Sequence, residues 1–132
     1  KEASGDLSRI DWLTGDFGQE LSIVCGADLD SPAFLAAGVH CWIGGIANLL
    51  PAAHVAMLNP DLRPEVFAAI EPILGFIESG KYNAKIKAGM NSLGAQVGAP
   101  RAPIESFESD VTGIQELESL LTSAGKWAPR FA

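Results

Sequence analysis

The chain has 132 residues, of which 48% are hydrophobic, and a formal net charge of -7 at pH 7. A nucleic-acid surface is disfavoured, because phosphate binding needs clustered lysine and arginine and the nine basic residues here are scattered. The composition indicates one globular unit or a piece of one, and the longest apolar stretches fall short of the roughly 20 residues that a membrane-spanning helix needs.

Short helices and strands alternate in the first half of the chain. Asp6 is placed to cap a helix with an apolar face, which residues 14–16 are predicted to end. The run from Leu21 to Cys25 is mostly apolar, contains β-branched residues and stops at Gly26. Such a run is typical of a parallel strand that is buried on both faces.

A second helix and another strand follow at once. Ser31 and Pro32 suit the N-cap and first residue of a short helix that reaches Ala37 and stops at Gly38. Residues 41–44 suit a strand. Strands and helices that alternate at such short intervals predict right-handed βα units and a parallel sheet.

The second half of the chain is predicted to be helical. Each helix carries one apolar stripe, which indicates that the helices pack on the sheet and on one another. Pro72 is expected to kink the longest helix, because proline removes a backbone donor. The predicted helices cover residues 48–58, 63–79, 81–93 and 110–124.

Motifs in a fixed order resemble those of the dihydrodipicolinate synthase / N-acetylneuraminate lyase family. The opening K-E-A-S-G-D-L-S-R, at residues 1–9, is similar to the sixth-strand signature that carries the family's imine-forming lysine. The later motifs are G-A-D at residues 26–28, W-I-G-G-I-A-N at residues 42–48 followed by Pro51, and A-P-R-A-P-I at residues 99–104. Their order and spacing extend the resemblance over nearly the whole chain.

The resemblance implies an α/β fold, a (β/α)8 TIM barrel. Residues 1–58 would supply strands six to eight with their helices, and residues 59–132 a C-terminal helical extension. Three parallel strands with exposed apolar edges cannot be a whole sheet, and such barrels need about 250 residues. We therefore expect the chain to be the C-terminal part of a longer protein, beginning inside a strand, with the other five βα units absent or on another chain. Family members are commonly homotetramers, which is the expected assembly.

Lys1 is the predicted catalytic residue. The resemblance implies that its amine forms a Schiff base with pyruvate or another 2-keto acid. A lysine attacks a carbonyl only when it is neutral, and the interior of a barrel favours the neutral form by burial. A native terminus inside a buried strand would add a charged amine, so Lys1 is expected to be internal in the complete enzyme.

Gly26 and Asp28 are predicted to bind substrate, because barrel enzymes place active-site groups where strands end. The resemblance puts Asp28 near the hydroxyls of the substrate tail. The alternative is that Asp28 or Asp30 only caps the following helix. Leu29 stands where sialic-acid lyases typically carry a glutamate, which disfavours a substrate as large as sialic acid.

Ile43 and Gly44 match family positions that line the pyruvate end of the pocket, where the main chain at Ile43 contacts the keto acid. Ile43 could equally be a core residue, and Gly44 with Gly45 a turn that needs unusual dihedral angles. Both descriptions can hold together. The backbone N–H groups of the helix that follows are a favourable setting for a carboxylate.

No pattern of metal ligands is present, and imine chemistry needs none, so no metal or other cofactor is expected. His40 and His54 have no partner pattern, and His54 is expected to be a packed or surface histidine. Arg101 is expected to form a structural salt bridge.

Cys25 and Cys41 are too few and too far apart for a disulfide framework or a zinc site. Each lies in an apolar, strand-like run. We expect both to be buried, reduced thiols, consistent with a cytoplasmic protein.

Residues 81–87, K-Y-N-A-K-I-K, lack the Asn-Pro-x-Pro-x-Lys pattern that the family's synthases usually carry there. The Tyr-x-Ala-x-x-Lys arrangement and residues 98–103 look more like the lyase and keto-deoxy-acid aldolase branch. The leading hypothesis is therefore an aldolase or dehydratase acting on a 2-keto-3-deoxy acid, with pyruvate as one half.

Dihydrodipicolinate synthase, which condenses pyruvate with aspartate semialdehyde, is the first alternative, and a catalytically silent barrel with a binding or regulatory role is the second. The family's catalytic tyrosine and paired hydroxyls come from earlier strands, and Tyr82 cannot be assigned that role. The chain alone is expected to be inactive.

Overall fold

Three parallel segments form the sheet in the computed structural model, which describes residues 1–129. Strand β1 (Val24–Cys25) pairs in parallel with strand β2 (Cys41–Trp42). On the other side of β1, Glu2 forms a parallel bridge: its N–H donates to the carbonyl of Val24 at 2.8 Å, and its carbonyl accepts from the N–H of Gly26 at 2.7 Å. The predicted parallel arrangement is confirmed, although the strands are shorter than predicted.

Helices make up most of the remaining described chain. None of them, within residues 1–129, combines the length and hydrophobicity needed to cross a membrane. A single 3-10 turn, Gly125–Trp127, follows the last α-helix. The α-helices are α1 (Ser8–Phe17), α2 (Ser31–Ala36), α3 (Ile46–Leu49), α4 (Pro51–Ala56), α5 (Arg63–Glu78), α6 (Tyr82–Ser92) and α7 (Val111–Ser123).

Helix α1 is longer than the sequence predicted. The Asp6 carboxylate accepts from the backbone N–H of Ser8, the first residue of α1, at 3.1 Å. Asp6 is not the N-cap residue, contrary to the prediction: that position is Leu7, which makes no side-chain capping bond. The helix also continues past residues 14–16: it ends at Phe17, and Gly18 is its C-cap residue. Gly15 does not end it, since a glycine inside a helix weakens the helix without breaking it.

The predicted helix over residues 48–58 is two helices, α3 and α4. Leu50, between them, has φ -130° and ψ 65° because the ring of Pro51 disfavours helical geometry in the residue before it. Pro51 then takes the first position of α4, where a missing N–H costs nothing. Pro72, by contrast, lies inside α5, which continues to Glu78.

The core lies between the sheet and the helical second half. Helices α5, α6 and α7 pack on one another, and α3 packs against α4 and α6. The inward face of α5 is fully buried, which matches its predicted apolar stripe. Its buried residues are Val66, Ile70, Ile73, Leu74 and Ile77.

The two faces of the sheet differ sharply in exposure. Glu2, Cys25 and Trp42 lie side by side across the three segments, and all three are buried toward the helices. Side chains alternate between faces along a strand, so Cys41 and Ile43 lie on the opposite face, and both are exposed. The expectation of a buried thiol is confirmed for Cys25 and wrong for Cys41, for this reason.

Replacement of Leu74 by alanine should lower the free energy of unfolding by about 2–5 kcal/mol, because the side chain is fully buried and its loss leaves a cavity. Leu58→Ala is the matched control: Leu58 is 46% exposed, and its loss should change stability by about 0.5 kcal/mol or less. Urea unfolding measures both. Equal effects would contradict the assigned core.

In the isolated 132-residue chain, the two thiols should differ in reactivity at pH 8. Burial raises the pKa of Cys25 to about 11, so its reactive thiolate is scarce, whereas Cys41 is exposed. A chromogenic disulfide reagent should modify one thiol per chain rapidly, and Cys41→Ser should abolish that fast phase. Fast reaction of two thiols would show that Cys25 is accessible.

Candidate active site

An open cleft of about 350 Å³ lies where the parallel segments end. In parallel α/β folds this edge of the sheet is where active-site groups collect. The cleft is lined by residues 3–5, by Gly26, Ala27 and Asp30 after β1, and by Glu78 and Tyr82 from α5 and α6.

Lys1 and Gly26 lie together beside this cleft. The aliphatic part of the Lys1 side chain passes so close to Gly26 that a Cβ added there would collide with it and with the Cβ of Ala3. The Lys1 side chain is exposed, on the open face of the sheet. A side chain larger than hydrogen at residue 26 would therefore displace the amine from its present path.

Asp28 is 1% exposed, and its carboxylate is surrounded by donors. The indole Nε1–H of Trp42 donates to Oδ1 at 3.0 Å, and the backbone N–H of Ile46 donates to Oδ2 at 3.3 Å. Asp28 thus caps α3, which is distant in sequence. The alternative role, in which Asp28 or Asp30 caps α2, is not observed. Asp30 is the N-cap residue of α2, but its side chain makes no capping bond.

The third donor to Asp28 is the hydroxyl of Tyr82, at 2.5 Å from Oδ2. The same hydroxyl accepts from the backbone N–H of Gly45 at 2.7 Å. Burial, together with the hydrogen bond to the Asp28 carboxylate, raises the pKa of the Tyr82 phenol well above its ordinary value. The phenol therefore stays protonated and keeps donating to Asp28.

The turn after β2 fits closely against this carboxylate. A Cβ on Gly44 would collide with the Asp28 carboxylate and the Trp42 indole, so the turn requires glycine because of space. Ile43 donates its N–H to the Cys25 carbonyl at 2.9 Å, and its side chain is 56% exposed. Ile43 is therefore not a core residue of the described chain.

Glu78 contacts the loop after β1. Its carboxylate accepts from the backbone N–H groups of Asp28 and Leu29 at 2.9 and 3.2 Å. The sequence analysis placed neither Glu78 nor Tyr82 in the site. They lie 50 and 54 residues from Asp28 along the chain, and no local pattern reports a contact over that distance.

The remaining predicted polar residues lie outside the cleft lining. The His54 ring stacks on Trp42 with 4.0 Å between centroids, and burial lowers the pKa of His54, so it is a packed, neutral histidine as expected. Arg101 is exposed and, within residues 1–129, forms no ion pair, so the predicted salt bridge is absent there. No cluster of potential metal ligands occurs in that part of the chain.

The sequence matches the model of the dihydrodipicolinate synthetase family over residues 1–124. It is 26% identical over 110 residues to a 4-hydroxy-tetrahydrodipicolinate synthase of Exiguobacterium sp., covering 79% of this chain and 38% of that protein. A Cereibacter sphaeroides protein named "Probable 5-dehydro-4-deoxyglucarate dehydratase" is 30% identical, over 92% of this chain and 44% of its own length. The chain thus spans less than half of these relatives.

Solved structures also match most of this chain and less than half of their own length. The dihydrodipicolinate synthase of Bacillus clausii superposes with a TM-score of 0.80 at 26% identity, over 93% of this chain and 45% of that one. The Oceanobacillus iheyensis enzyme shares the fold with a TM-score of 0.80 at 24% identity. A match to under half of each structure agrees with a partial (β/α)8 barrel.

Gly44→Ala should destabilise the chain by about 1–3 kcal/mol, because the new methyl group collides with Asp28 and Trp42 in a packed site. Gly75→Ala is the control: it lies within α5, and its added Cβ meets no atom within 4 Å. That change should leave stability unchanged or raise it by up to about 1 kcal/mol. Thermal unfolding compares the two, and equal losses would contradict the close fit at Gly44.

Proposed function

Because the chain belongs to the dihydrodipicolinate synthetase family, we propose that it carries the nucleophile of a class I aldolase or dehydratase acting on a 2-keto-3-deoxy acid. The observation that carries this proposal is the position of Lys1, whose side chain lies over Gly26 beside the cleft at the strand ends. A lysine at this edge of a parallel sheet is well placed to meet a carbonyl substrate.

The chemistry follows from an amine and a ketone. The Lys1 amine adds to the keto carbon, water leaves, and the resulting iminium withdraws electrons from the adjacent carbon. The neighbouring C–C bond can then break to leave pyruvate as one half, or a β-hydroxyl can leave as water. Hydrolysis of the imine returns the free lysine, so no metal or redox cofactor takes part in these steps.

Gly26 and Ile43 are proposed to contact the substrate directly, since they lie on the open face that Lys1 occupies. Gly44 is proposed to contact it through its main chain, because it follows Ile43 in the same turn. Asp28 was expected near the substrate hydroxyls. Its carboxylate already accepts three hydrogen bonds and is 1% exposed, which favours a supporting role behind the turn at Gly44.

Residues 1–58 are proposed to supply the last three βα units of the barrel, and residues 59–132 the helical extension. The apolar, exposed face that carries Ile43 supports this proposal, because the missing strands would cover it. The complete enzyme would be a cytoplasmic homotetramer of such barrels.

The alternative function is dihydrodipicolinate synthase, which the relative from Exiguobacterium favours. The absence of Asn-Pro-x-Pro-x-Lys at residues 81–87 favours the aldolase or dehydratase instead, as does the relative from Cereibacter sphaeroides. Pyruvate release from 2-keto-3-deoxy sugar acids, compared with consumption of aspartate semialdehyde, decides between them.

Borohydride treatment of the complete enzyme with pyruvate should attach a reduced pyruvate adduct to the peptide that contains Lys1. Lys1→Arg should abolish the adduct, because a guanidinium stays protonated and cannot form the imine. Peptide mass spectrometry locates the product. Lys126→Arg, which changes an exposed lysine on the last turn, is the control and should trap normally. An adduct that survives Lys1→Arg would rule out Lys1 as the nucleophile.

A further inference from the structure

The α5–α6 hairpin, residues 63–92, contacts both loops that follow the two strands. From α5, Glu78 accepts the N–H groups of Asp28 and Leu29 in the loop after β1. From α6, Tyr82 bonds to the Asp28 carboxylate and to the N–H of Gly45 in the turn after β2. The helical extension is thus bonded directly to the loops that follow both strands, next to the cleft.

The shape of the hairpin is itself fixed by a buried lysine. Lys85 is 6% exposed, and its Nζ donates to the Phe76 carbonyl at 2.6 Å and to the Ser79 hydroxyl at 2.7 Å, at the end of α5. Its ammonium lies 4.3 Å from the centroid of the Phe76 ring, a favourable cation–π distance. These bonds tie α6 to the end of α5 and so set the position from which Tyr82 reaches the turn.

The hydroxyl of Tyr82 bonds to two groups, the Asp28 carboxylate and the N–H of Gly45. Without it, Asp28 Oδ2 keeps only the 3.3 Å bond from Ile46, and the N–H of the half-buried Gly45 loses its acceptor. An unpaired polar group in such a place is costly, so the turn would shift to find water. Gly45 also fits against the Tyr82 ring, since a Cβ there would collide with the phenol.

We propose that Tyr82 is a positioning residue: by joining Asp28 to Gly45, its hydroxyl fixes the turn at residues 43–45 in the shape that receives the keto acid. This inference rests on the proposed function, in which the main chain at Ile43 contacts the substrate. Tyr82 need not touch the reacting atoms to act, and it contributes no proton to the chemistry.

The test compares Tyr82→Phe with the native complete enzyme. The pyruvate concentration that gives half-maximal borohydride trapping at Lys1 should rise about tenfold, the size expected for one lost hydrogen bond at the binding turn. The maximal extent of trapping should stay unchanged, because Lys1 itself is intact. Thr122→Val is the matched control: it removes a hydroxyl that bonds within α7, and it should alter neither quantity.

Two further measurements separate positioning from general stability. Amide hydrogen exchange at Gly45 should accelerate in Tyr82→Phe, because its acceptor is gone. Asp28→Asn should also weaken pyruvate trapping, and the double variant should be no weaker than the worse single variant, since both changes break one network. Additive effects would show that Tyr82 acts independently of Asp28 and would overturn the proposal.

Each result identifies which idea fails. No pyruvate adduct in the native enzyme would overturn the proposed function, and the positioning role with it. A normal native adduct, with half-maximal trapping unchanged in Tyr82→Phe, would overturn the positioning role alone. If Tyr82→Phe unfolds, Asp28→Asn tests the same network, because it changes the carboxylate to which the Tyr82 hydroxyl donates. Unchanged trapping in that variant would overturn the proposal as well.

Discussion

The buried carboxylate of Asp28 is the interaction on which the arrangement of the cleft depends. A charge removed from water is strongly destabilising unless donors replace the lost hydration. Here the donors come from three separate parts of the chain: the indole of Trp42, the N–H of Ile46 and the hydroxyl of Tyr82. Because each part must be in place to satisfy the carboxylate, the strand ends, the turn and α6 are fixed relative to one another.

Those parts of the fold that depend on local sequence patterns could be predicted. The parallel segments and the helical second half follow from β-branched runs, apolar periodicity and capping residues, which act over a few residues. The errors lie where neighbours compete: Gly15 is tolerated within α1, and Pro51 divides the helix predicted for residues 48–58. The exposure of Cys41 could not be judged from its apolar run, because burial of a strand face depends on which other strands are present.

The site was predictable only in part, for the same physical reason. Lys1 and Gly26 were singled out by motifs at strand ends, and the structure brings them together. Asp28 was singled out too, but which groups surround its carboxylate depends on tertiary packing. Tyr82 and Glu78 carry no local signal, since their effect arises only when α5 and α6 fold back onto the loops of the sheet.

The neutral donors around the Asp28 carboxylate explain how it can be buried with no cation bonded to it. Trp42 and Tyr82 present apolar rings to the core and one polar atom each to the carboxylate, so they satisfy it without bringing in a second charge to desolvate. The N–H of Ile46, at the start of α3 where the helix itself offers no acceptor, is the third donor. The Asp28 carboxylate accepts hydrogen bonds from several directions, and its Oδ1 lies so close to Gly44 that no side chain fits there. The need for glycine in the turn and the need for a tyrosine in α6 therefore have one cause, the burial of Asp28.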